Sequence, residues 1–106
     1  MKSPFVAENE PTEETKEVER VFREAGFPNT ESYRHNSASI RVRVRDERFR
    51  GLSRVARIQK LNSVIEQLPE ETQQDLIFVL AIAPGEENGD FLLMNLEFEN
   101  PRRSTF

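Results

Sequence analysis

The sequence predicts an α+β fold: a small mixed sheet with its helices on one face, in the order αββααβ, followed by a C-terminal tail. Three observations carry this. Ile40, Val42 and Val44 alternate strictly with Arg41, Arg43 and Arg45, the period of a half-buried strand. The run LIFVLAIA, from Leu76 to Ala83, is apolar on both faces and reads as a central strand. Around these strands apolar residues recur at helical spacing, and such a mixed order suits a sheet with segregated helices. A chain of 106 residues has room for one domain and one modest core. With 36% apolar and 32% charged residues it is polar for a compact fold, so the two ends are read as tails.

Residues 1–11 are expected to be disordered. A helix is signalled from Thr12: Glu13 and Glu14 favour the positive end of its dipole, and Val18, Val21, Phe22 and Ala25 form its apolar stripe. Gly26 and Pro28 end it, since glycine accepts a left-handed backbone and proline cannot continue a helix. Glu31 to Asn36 is a short extended segment, with Asn36 and Ser37 as turn residues before the strand Ser39 to Asp46.

Ser53 suits an N-cap, its hydroxyl accepting from a backbone amide that has no partner within the helix. In the helix that follows, Ile58, Leu61, Ile65 and Leu68 are expected to face inward, flanked by Val55 and Val64. Pro69 interrupts it and starts a shorter helix, PEETQQD. The strand from Leu76 stops at Pro84 and Gly85, closing an α+β domain over residues 12–84. Residues 85–106 are a loop and then LLMNLEFEN, whose pattern allows an edge strand, a helix-like arm or an interaction tail.

The net charge of −4 conceals a basic block. Arg41, Arg43, Arg45, Arg48, Arg50, Arg54, Arg57 and Lys60 face only Asp46 and Glu47 within the same stretch. One reading places them on solvated faces, answered by the chain's own carboxylates. The other makes them a binding surface in water, for an acidic protein or for phosphates. Nucleic acid would use Arg41, Arg43 and Arg45 on successive phosphates. Only Tyr33 and Phe49 lie close enough in sequence to add base stacking.

Enzyme signals are missing. There is no H-E-x-x-H, G-x-S-x-G or phosphate-binding G-x-x-x-x-G-K, so no catalytic residue is assigned. The absence of cysteine excludes disulfides and thiolate metal sites. His35, the one histidine, is a candidate polar or metal contact, but one imidazole cannot close a metal site alone, and no metal or cofactor is expected. No apolar run suggests a signal peptide or a membrane span, so a cytoplasmic protein without membrane contact is expected.

SYRHN, then a strand, then DERFRGLSRVARIQKLNSVI, resembles the core of the BolA-like family, whose αββααβ fold is related to the type II KH arrangement. Ser32, His35, Asp46, Phe49, Gly51 and Arg57 carry the resemblance, which covers residues 12–83. It implies a non-enzymatic adaptor or regulator that works by protein binding. The family has a second-helix histidine supporting iron–sulfur cluster sharing; Ile58 stands at that position here and has no lone pair to offer. The leading expectation is therefore a protein-binding module without that ligation, docking through its basic strand and helix, with nucleic-acid binding through the same arginines as the competing reading.

Overall fold

A computed structural model describes residues 10–100. The fold is α+β, with a three-stranded mixed sheet. The predicted disorder of residues 1–9 and any role for 101–106 lie outside the described residues. Helix α1 (Glu13–Glu24) is opened by a capping box in which Thr12 Oγ1 accepts from Thr15 N–H and Thr15 Oγ1 accepts from Thr12 N–H. It buries Val18, Val21 and Phe22 and ends at Ala25, before Gly26 at φ 100°. Strand β1 (Thr30–Asn36) turns at Ser37–Ala38, where Asn36 Oδ1 accepts from Ala38 N–H, into β2 (Ser39–Arg45).

Asp46 caps a short 3₁₀ turn, Glu47–Phe49, which buries Phe49 against Phe27 with ring centroids 5.9 Å apart. Helix α2 (Arg54–Ile65) is capped by Ser53, and α3 (Glu70–Asp75) follows Pro69. Strand β3 (Leu76–Ile82), a second 3₁₀ turn (Glu86–Asn88) and helix α4 (Leu92–Glu99) follow within the described residues.

The sheet order is β1-β2-β3, with β1 antiparallel and β3 parallel to β2. The expected position of the Leu76 strand is corrected here. Apart from the exposed Ile77, its apolar residues pack into the cores on the two faces, yet it lies at the edge, and β2 holds the centre. A run that is apolar on both sides reports covered faces and says nothing about whether a neighbour lies on each flank.

Two cores result. Ile40, Val42, Val44 and Ala81 pack beneath α1 and α2 with Phe22, Phe49 and Leu61. On the opposite face Tyr33, Leu80 and Ile82 pack with Phe91, at the entry to the C-terminal helix, and Phe98 within it. The LLMNLEFEN segment is thus a helix, the second of its three allowed readings, and it covers the face on which the arginines stand. Phe98 is fully buried there, so the packed domain continues past residue 84 to α4.

Candidate functional site

The β2 arginines do not form the solvated stripe expected from their spacing. The aliphatic side chains do face the main core, but the opposite face is roofed by α4, and Arg43 is only 3% exposed. Its guanidinium donates to Glu31 at 2.6 Å, Glu99 at 2.7 Å and Asn95 Oδ1 at 2.6 Å, and lies over the Phe98 ring. Arg41 meets Glu97 at 2.9 Å and Arg45 meets Glu87 at 2.8 Å. A cation in a covered position must be matched by nearby charge and acceptors, and these carboxylates supply them from distant sequence.

The remaining basic residues divide in two. Arg48 pairs with Asp46 at 2.8 Å, an interaction that holds the Asp46 carboxyl below its usual range, and Arg50 pairs with Glu47. Arg57 is buried and meets Glu86. Arg54 and Lys60 have no ion pair among the described residues. The eight residues therefore make no continuous cationic surface. Six are answered by the chain's own carboxylates, as one of the two sequence readings held, though several are covered rather than solvated.

Helix α2 is rotated from the expected stripe. Arg57, Leu61, Val64 and Leu68 point inward, whereas Ile58 and Val55 are exposed. Arg57 takes an inward position because it finds polar partners there. It donates to Leu52 O at 2.9 Å, to Ala81 O at 3.1 Å, and to both Glu86 oxygens at 2.5 and 3.0 Å. Residues 57, 61, 64 and 68 repeat at helical spacing as well as 58, 61, 65 and 68 do; choosing the first set required an arginine on the inside.

This rotation leaves Ile58 at a cleft beside β3. The cavity, about 200 Å³, has Arg54, Arg57 and Ile58 of α2 on one wall and Phe91 and Met94 on the other. Its floor is Val79, Leu80 and Ala81. Among the described residues β3 has a strand neighbour on one flank only, and its open flank can be identified from its carbonyls, which alternate sides along a strand. Ile82 O accepts from Asp46 N–H, whereas Ala81 O accepts from Arg57, so Val79, two residues earlier, turns its peptide group toward the open flank. Sequence reading missed Val79, Phe91 and Met94 as site residues. The signal for the last two was the spacing of Phe91, Met94, Asn95 and Phe98, which fits one helix face.

His35 lies half-buried on β1, and burial together with the Arg41 guanidinium holds its imidazole below the ordinary value. Among the described residues no group of three His, Asp or Glu side chains is placed to hold a metal ion. Nearby Tyr33 donates its hydroxyl to Phe98 O at 2.7 Å, and burial raises its pKa. Among the described residues no helix is long and apolar enough to cross a membrane. No family model matches the chain, and neither the curated proteins nor the solved structures contain a match to it.

Proposed function

We propose that this chain is a non-enzymatic adaptor or regulatory module of the BolA-like kind, and that it binds another protein through the cleft between α2, the free edge of β3 and the start of α4. The observation that carries this reading is the cleft itself: Ile58, Phe91 and Met94 wall a strand edge whose Val79 peptide group faces outward. Single exposed leucines are ordinary on a protein surface, but apolar walls around an unpaired strand edge are the form of a docking groove.

The residues behind the resemblance support a shared framework. Asp46 caps a turn, Phe49 is fully buried, Gly51 has φ 81°, Ser32 Oγ donates to Thr15 O, and Arg57 anchors α2 to β3. Ile58, standing where the resemblance has a histidine, offers hydrocarbon to the cleft. Phosphate binding is the weaker reading because Arg41, Arg43 and Arg45 already meet Glu97, Glu31, Glu99 and Glu87. Capture from native cell extract, with and without nuclease, tests the proposal. A partner that survives nuclease and is lost with Ile58→Glu supports it. Capture abolished by nuclease, or indifferent to Ile58→Glu, rejects it.

A further inference from the structure

Resting on that reading, we infer that the cleft takes an extended segment of another protein that presents one large apolar side chain flanked by an acidic residue. Size is the first argument. At about 200 Å³ the cavity is smaller than the roughly 300–1,000 Å³ of small-molecule and cofactor sites, and matches one side-chain anchor.

The floor specifies the backbone form of the occupant. Val79 presents its N–H and C=O along the open flank of β3, and an added strand pairs with both. A helix laid there would cover those groups without satisfying them, which costs free energy. The pairing run is short. At one end Ile77 is the extra residue of a bulge, since Ile40 and Arg41 are opposite Leu76 and Phe78; at the other, Arg57 occupies Ala81 O. With so few main-chain bonds available, the apolar anchor and the charge at the rim must supply most of the selectivity.

The rim supplies the charge argument. Arg54 is exposed at the cleft, with its guanidinium 5.3 Å from the Phe91 ring and no carboxylate partner among the described residues. Glu86 is already held by Arg57 through two hydrogen bonds. The unmatched charge at the site is therefore positive, although the chain is net acidic. An acidic side chain complements Arg54 and fixes the register of the incoming strand. A second copy docked cleft to cleft would bring two such rims together around a dyad, so the complementary occupant is a different chain.

Selection from a display library of random short peptides on the full chain tests this inference. Enriched sequences should place Asp or Glu within two or three residues of a Leu, Met, Phe or Ile. For a synthetic peptide of the enriched sequence, Arg54→Glu should weaken binding about tenfold, and exchanging the peptide's acid for lysine should restore it. Ile58→Glu should abolish binding. Enriched peptides that are apolar without an acid, or that bind as helices, overturn the inference while leaving the cleft reading standing if Ile58→Glu still removes them. Dimerisation of the chain abolished by Ile58→Glu would do the same, with a second copy as the occupant. No enrichment, or binding indifferent to both substitutions, overturns both.

Discussion

Arg57 and Glu86, 29 positions apart, are joined by two parallel hydrogen bonds, and Glu86 Oε1 also accepts from Ala83 N–H at 2.7 Å. This pair ties the first turns of α2 to the exit of β3 and closes one end of the cleft. Replacing Glu86 by Ala leaves a buried guanidinium without its counter-charge and should cost about 3 kcal/mol, the low end for a broken buried pair because Leu52 O and Ala81 O remain as acceptors. Arg57→Met together with Glu86→Leu should recover most of the loss. Urea unfolding of Arg57→Met, Glu86→Leu and the double variant measures the coupling, and independent, additive effects would show that the pair contributes nothing as a unit.

The same pair predicts an acid dependence. The Arg57 hydrogen bonds hold the Glu86 carboxyl below the ordinary glutamate range despite opposing burial. A carboxyl whose folded pKa is depressed contributes stability above its unfolded pKa, and that contribution disappears as pH falls through the folded value. Wild-type protein should therefore lose more stability than Glu86→Gln as pH falls from the ordinary glutamate range through the depressed one. Parallel melting curves in that window would contradict the assignment. Asp46, held low by Arg48, adds a smaller slope in the same direction, reduced by solvent screening at its exposed partner.

What was legible in the sequence was local. Ser53 as a cap, Gly26 as a terminator, the period-two face of β2 and the short helix at Pro69 all depend on chemistry within a few residues, and each stands where its pattern placed it. The rotation of α2, the edge position of β3 and the covering of Arg43 depend on partners 29 to 56 residues away. Alternation located the arginines on one face of β2 correctly. Whether that face met water was decided by α4, whose strand-like alternation of Leu92, Met94, Leu96 and Phe98 concealed the Phe91, Met94 and Phe98 spacing. The cleft became visible only when both placements were known.

Exposure separates the arginines by function. Replacing Arg41, Arg43 and Arg45 together by Gln should destabilise the domain by about 3 kcal/mol or more, because Arg43 is the buried junction between Glu31 on β1 and Glu99 on α4. Arg48→Gln and Arg50→Gln, at exposed pairs, should leave the unfolding midpoint nearly unchanged. Chemical denaturation of the two sets decides the matter. A β2 triple variant as stable as wild type would return those arginines to solvent and reopen the phosphate-binding reading.

Helix rotation can be tested within α2. Leu61 is fully buried beneath the sheet, so Leu61→Ala should cost about 3 kcal/mol through lost contacts and the cavity left behind. Ile58→Ala, on the cleft side at 36% exposure, should cost less than about 1 kcal/mol. Comparable losses at the two positions, measured by urea unfolding, would restore the stripe through Ile58 and remove the cleft wall.

Phe98 decides whether α4 belongs to the fold or merely lies upon it. Its ring is fully buried, edge-on to Tyr33 at 5.1 Å and beneath the Arg43 guanidinium at 4.7 Å. Phe98→Ala removes that packing and uncovers a charge network built in its shelter, so the expected cost is about 4 kcal/mol. Because Phe91, at the start of this helix, and Met94 within it wall the cleft, partner binding should fall as well, even under conditions where the variant remains folded. Hydrogen exchange should then show amides of α4 losing protection while those of β2 retain it. If α4 instead keeps its protection and binding is unchanged, the helix is not anchored through Phe98, and the second cleft wall does not depend on this core.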